Sequence, residues 1–117
     1  MTNVGDGIKA EKANWKFDSE TSKSFDEHVK KSVPLYTEGH DLICDMSDFF
    51  VKPNSIVYEV GCSTGTLSLK LAQNNKLKTK AKFIGVDIEK DMIEIANSKK
   101  NSDPKLSSLN VEFITED

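Results

Sequence analysis

The 117-residue sequence predicts an α/β fold, a partial doubly wound parallel sheet of three strands in the order third, second, first, preceded by helices. Three observations predict it. Short apolar runs rich in β-branched and aromatic residues occur at Ile56–Val60, Lys82–Asp87 and Val111–Ile114, as suits strands buried between layers. Stretches with helical spacing separate them, so the strands must be parallel and joined by right-handed crossovers. Each strand carries or precedes an acid at its carboxyl end: Glu59, Asp87 and Glu116-Asp117. Helices are expected on both faces, giving three layers.

Met1–Asn14 is polar, with Gly5 and Gly7 and almost no apolar anchor, and reads as a mobile tail. Trp15 and Phe17 begin the ordered part, 15–117, and are expected to pin the tail to the core. Ser24-Phe25-Asp26-Glu27 has the form of a capping box, which predicts a short helix from there to Ser32. Phe25 and Val29 share one of its faces. Pro34 stops that helix and can open the next. From Leu35 to Phe50 the spacing of Leu42, Met46, Phe49 and Phe50 marks one apolar helix face. Gly39 weakens the first turn, so two pieces also fit. Lys52-Pro53-Asn54-Ser55 turns the chain into the first strand.

That strand leads into Gly61-Cys62-Ser63-Thr64-Gly65-Thr66 and then a helix to Asn74. The glycines allow a sharp turn and close approach to a ligand. The helix start points free N–H groups at the turn, where an anionic group could sit. Such a loop also occurs in ordinary turns, but Asp87 follows Gly65 by 22 residues. An acid at about 20 residues past a glycine loop is where a carboxylate accepts from two ribose hydroxyls. The lysines from Lys76 to Lys82 read as a solvated loop and strand start rather than a nucleic-acid contact. The next helix starts near Lys90, with Asp91 at its positive end and Met92, Ile95, Ala96 and Lys99 at helical spacing. Asn101-Ser102-Asp103-Pro104 ends it, and Leu106–Asn110 leads into the third strand.

Composition narrows the class. One domain is the most this length suggests. Net charge is −3, with no general attraction to nucleic acid or membrane. All 16 basic residues are lysine, so bidentate guanidinium clamping of a carboxylate or phosphate is impossible within the chain. Cys44 and Cys62 make neither a disulfide framework nor a metal site. No apolar run approaches a membrane span and no signal peptide is visible, so a cytoplasmic location is the default expectation.

Glu59-Val60-Gly61-Cys62-Ser63-Thr64-Gly65 resembles the first motif of the class I S-adenosylmethionine (SAM)-dependent methyltransferases, a Rossmann-like superfamily. Gly85-Val86-Asp87-Ile88 is similar to their second motif and Glu116-Asp117 to their third. The usual first motif has glycine where this chain has Ser63. Gly-Cys-Ser-x-Gly, with Phe25-Asp26 and Ser32-Val33-Pro34-Leu35-Tyr36 upstream, resembles the carboxy-SAM synthase branch, which acts in tRNA wobble-uridine modification. The resemblance implies a transferase whose cofactor is SAM or a carboxylated derivative. It implies that Gly61, Cys62, Ser63 and Gly65 take the methionine portion, with Glu59 orienting its ammonium. Asp87 would accept the ribose hydroxyls, Ile88 would pack on the adenine, and Asp117 would sit near the adenine amino group. Tyr36 would reach into the cofactor site, although Tyr36 and Ile88 equally fit plain core positions. Cys62 also fits a small buried filler, and His28 and His40 fit structural or surface positions. No catalytic acid–base pair is singled out.

The family's sheet is wider than three strands, and the arginines that hold the carboxyl group of carboxy-SAM lie in its later part. The chain is therefore expected to be an amino-terminal half, completed by its remaining part or associating with a second copy. The alternatives are a non-catalytic SAM-binding or interaction module completed by another chain, and a site for NAD, whose usual Gly-x-Gly-x-x-Gly is absent. The acceptor substrate has no signature.

Overall fold

The structure is a computed structural model that describes residues 9–11, 14–16, 19–78 and 80–117. A short antiparallel pair comes first, β1 (Lys9–Glu11) against β2 (Asn14–Lys16). Two helices follow, α1 (Ser19–Ser32) and α2 (Tyr36–Phe50). Strand and helix then alternate: β3 (Ile56–Val60), α3 (Thr66–Asn74), β4 (Lys82–Asp87), α4 (Lys90–Ser102), the single turn α5 (Pro104–Ser107) and β5 (Val111–Thr115). Most of the expected tail lies outside the described residues, and so does the expected anchoring by the Trp15 and Phe17 side chains.

The strands β3, β4 and β5 form a parallel sheet in that spatial order, which is the expected third-second-first order read from the other edge. Register creates two faces. Val57, Phe83 and Val111 lie side by side, as do Glu59, Gly85 and Phe113. This face meets α3 and α4, where Phe83, Val111 and Phe113 join Leu69, Leu71, Ala72, Ile93 and Ala96 in the core. The other face carries Ile56, Tyr58, Val60, Ile84, Val86 and Ile114, with Val60 85% exposed. Helices expected on both faces thus cover one, among the described residues. Strands added successively in one direction by right-handed crossovers bring every connecting helix back on the same side.

Phe113 is the hinge of the covered face. A Cβ at Gly85 would lie 2.6 Å from its ring and 2.9 Å from the Cys62 sulfur. A Cβ at Gly65 would lie 2.6 Å from the same ring and 2.9 Å from the Ala96 methyl. Both glycines are small because an aromatic ring fills the space between them.

The N-terminal helices differ from expectation in two ways. The first begins at Ser19, so Ser24 is inside α1 rather than at its cap. The second is continuous through Gly39, but its apolar stripe points outward. Leu42, Met46, Phe49 and Phe50 are exposed, Phe49 at 86%. The side that docks on α3 is polar. Asn74 Nδ2 donates to the Cys44 carbonyl (3.1 Å) and to Asp48 (3.2 Å), Asn75 Nδ2 donates to Ser47 Oγ (3.0 Å), and Lys70 pairs with Asp41. The side-chain amide nitrogen of the buried Asn75, just past α3, finds its partner on the Ser47 side of α2.

Candidate functional site

Beyond Val60 the backbone turns through three left-handed residues, Gly61 (φ 76°), Ser63 (φ 50°) and Gly65 (φ 79°). Glycine adopts this region freely, whereas Ser63 carries a cost of about 1–2 kcal/mol. Asp87, at the end of β4, braces it: Ser63 N–H donates to Asp87 Oδ2 at 2.8 Å. The other oxygen, Oδ1, accepts from Glu89 N–H at 2.9 Å. At Gly61 an added Cβ would meet nothing within 4 Å, so the backbone faces open space there.

The loop is not the open anion cradle that its glycines suggest. Gly61 and Cys62 both donate to the Val86 carbonyl (2.7 and 2.9 Å), and Gly65 donates to the Cys62 carbonyl (2.9 Å). In the first turn of α3, Ser68 N–H donates to Glu59 Oε1 (3.1 Å), and Ser68 Oγ donates to the same oxygen (2.5 Å). Gly65 at the helix start supplies no side-chain cap, so the strand's own glutamate supplies one. Burial holds the Glu59 carboxyl above its usual range; the Ser68 bonds oppose that rise and Asp87 adds to it.

A cleft of about 200 Å³ opens between the loop and the N-terminal helices. Phe25, Val29, Tyr36 and His40 form one wall, and Glu59, Gly61, Ser63 and Thr66 line the other. The Tyr36 and His40 rings lie 4.2 Å apart between centroids. Burial, then Asp26 and Glu59, push the Tyr36 phenol upward in pKa, so it stays a neutral hydrogen-bonding group. Burial and then Lys70 push His40 downward, favouring the neutral ring.

The cleft therefore brings together Tyr36, Glu59, Gly61, Cys62 and Ser63. Gly65 is buried behind it against Phe113. The Cys62 side chain is buried and its thiol is pushed up to about 12, chiefly by burial, so only its backbone could meet a ligand. Asp87 touches the cleft through Ser63, and Glu116 N–H donates to the Asp87 carbonyl at 3.1 Å, which draws the end of the third strand to the same rim. Ile88 is 61% exposed, and Asp117 is exposed just past β5. Neither Ile88 nor Tyr36 is a core residue. His40, read from the sequence as a structural or surface residue, and Thr66, given no role there, also line the cleft; His40 stands four residues after Tyr36 on one helix face, which is the signal that could have placed it. A larger hollow of about 590 Å³ lies at the opposite ends of the strands, beside Ala81, Lys105 and Asn110, and contains none of these residues.

Residues 51–117 match a family described as a methyltransferase domain. The chain is similar to the carboxy-S-adenosyl-L-methionine synthase of Staphylococcus epidermidis, at 42% identity over 104 residues covering 88% of this chain. It is similar to the protein of that name from Helicobacter hepaticus, at 34% identity over 107 residues and again 88% of this chain. The chain spans 42% of the length of each of these relatives. Among solved structures it resembles a SAM-dependent methyltransferase from Aquifex aeolicus, with a TM-score of 0.58, 26% identity, and coverage of 87% of this chain and 48% of that one. It shares its fold with an RNA methyltransferase from Salinibacter ruber solved with S-adenosyl-L-homocysteine, with a TM-score of 0.56 at 21% identity, covering 73% of this chain and 50% of that one. The matched stretch begins at Val51 and takes in the whole sheet, the glycine loop and all three acidic strand ends. On that sequence match and this Rossmann-like topology, the chain belongs to the methyltransferase-domain family.

Proposed function

We propose that residues 15–117 are the cofactor-binding half of a cytoplasmic SAM-dependent transferase, of the methyltransferase or carboxy-SAM synthase kind, acting in tRNA modification. The observation that carries the cofactor reading is the fate of the loop's donors. With Gly61, Cys62, Ser63 and Gly65 N–H groups all bonded within the protein, the loop has little to offer a pyrophosphate. What borders the cleft instead is acidic, Glu59 and Asp87, which suits the ammonium and sulfonium of an adenosyl amino acid. Similarity to proteins named carboxy-SAM synthase supports the same choice.

In this reading the open backbone at Gly61 and the loop through Ser63 receive the methionine portion. Both Ser68 bonds fall on Glu59 Oε1, so Oε2 is the oxygen placed to orient the ammonium. Asp87 keeps lone pairs beyond its two backbone bonds and accepts from the ribose hydroxyls. Ile88 offers an exposed apolar surface to the adenine, Asp117 lies at the same rim for its amino group, and Tyr36 closes the cleft. When bound, SAM supplies a sulfonium that makes its substituents electrophilic. The chain's residues then need to orient the cofactor and exclude water rather than supply an acid–base pair. The remaining partner is the rest of a wider sheet, or a second copy, against β3.

Isothermal titration with S-adenosyl-L-homocysteine and with NAD tests the reading. Binding of the former and none of the latter is expected. Preference for NAD would overturn it.

A further inference from the structure

The N-terminal helices meet the α/β unit at a polar junction that the cofactor reading does not use. Lys99 on α4 places Nζ 2.8 Å from Asp26 Oδ2 on α1, 3.0 Å from Thr64 Oγ1 and 3.1 Å from Thr66 Oγ1. A lysine ammonium has three donors, and each here has an acceptor. Thr64 Oγ1 in turn donates to Asp26 Oδ1 at 2.6 Å. Asp26, Thr64 and Lys99 thus close a ring that joins α1, the glycine loop and α4. Thr64 is buried, and the Asp26 and Lys99 side chains are only 25% and 29% exposed. A charge pair so covered is screened far less than a surface pair, and its desolvation is offset here because its polar atoms are matched.

The ring borders the cleft, which Thr64 also lines. Asp26 follows Phe25, which lines the cleft wall with Val29. Thr64 sits in the loop between Ser63 and Gly65, and Thr66, the third acceptor of Lys99, lines the same cleft as Tyr36. Releasing Lys99 would loosen a helix wall and the glycine loop together.

We propose that Asp26 and Lys99 are positioning residues for the cofactor cleft, clamping α1 onto the glycine loop so that the wall of Phe25, Val29 and Tyr36 is in place before a ligand arrives. The ligand part of this inference rests on the proposed SAM reading; the clamp itself is a property of the free chain.

The variants Asp26→Asn and Lys99→Met remove one charge each, and Lys99→Arg keeps it. Amide hydrogen exchange of residues 23–32 reports the clamp, protection of β4 and β5 reports that the core is folded, and titration with S-adenosyl-L-homocysteine reports the cleft. The clamp predicts about tenfold faster α1 exchange and about tenfold weaker binding in Asp26→Asn and Lys99→Met, with β4 and β5 unchanged. Lys99→Arg should stay within about threefold of the unaltered protein on both readouts. Unchanged α1 exchange in Asp26→Asn and Lys99→Met would overturn the clamp. Faster α1 exchange with undiminished affinity would overturn its positioning role. If the unaltered protein binds no S-adenosyl-L-homocysteine, the cofactor reading fails, and the exchange measurement still decides the clamp.

Discussion

The two faces of the sheet carry similar side chains and meet different fates. Val57, Phe83, Val111 and Phe113 lie under α3 and α4, while Ile56, Tyr58, Val60, Ile84, Val86 and Ile114 look outward with no helix over them among the described residues. Apolar residues on both sides of a strand are the pattern of a sheet buried on both faces. The strands are thus written for more cover than α1–α5 provide. The comparison separates two roles. The covered face builds the site, because Phe113 sets Gly65 and Gly85 and so the path of the loop. The open face, with the β3 edge beside it unpaired among the described residues, has the character of a surface on which a further strand or layer could pack.

The largest effect that sharpens the contrast is on stability. Phe113→Ala on the covered face should cost about 3–5 kcal/mol, the range for truncating a buried aromatic. Tyr58→Ala on the open face should cost under about 1 kcal/mol. Urea titration of both variants checks the difference; equal losses would mean that the open face is buried in solution.

A smaller effect concerns Glu59, at the carboxyl end of the covered face. Its carboxyl is raised by burial, partly offset by Ser68 and reinforced by Asp87. The folded chain therefore holds this proton to higher pH than the unfolded chain. The associated stability is fully present below the ordinary carboxylate value and is lost as pH rises through the raised one. Glu59→Gln should flatten that part of the stability profile. Denaturation midpoints across the acidic range measure it, and an unchanged slope in the variant would assign the titration to another group.

The smallest effect on folding, and the most visible on association, is expected from Val60→Lys. A charge at this exposed position should change stability by no more than about 0.5 kcal/mol. It should also reduce self-association through the β3 edge, since edge lysines block strand pairing. Light scattering over a concentration series shows this as a lower apparent mass at high concentration. A monomeric unaltered chain at all concentrations would show that the open face is not an adhesive surface.

The sheet, its order and the loop were legible because each follows from local pattern: β-branched runs, a glycine turn and an acid after each strand. The side of α2 that docks was not legible. Its stripe of Leu42, Met46, Phe49 and Phe50 has the periodicity of a buried face, but Lys70 and Asn74 on α3, with Asn75 just past it, hold the opposite side. The start of α1 was misplaced because Ser24 and Glu27 imitate a cap inside a helix. The usefulness of Gly65 was legible and its reason was not, since Phe113 arrives from the far strand. Lys99 was read as one more residue on a helix face. Its partners Thr64 and Thr66 stand 35 and 33 residues earlier, and only the assembled fold brings them together.

The central claim is that the carboxyl edge of the covered face holds an adenosyl cofactor through Asp87. Calorimetry with S-adenosyl-L-homocysteine on Asp87→Ala, beside Val60→Lys as an open-face control, tests it most directly. Asp87→Ala should lose about 1.5–3 kcal/mol of binding, the scale of a charge-assisted hydrogen bond, while Val60→Lys keeps the affinity of the unaltered chain. Undiminished binding by Asp87→Ala would contradict the claim and leave Asp87 as no more than the brace of Ser63 and Glu89.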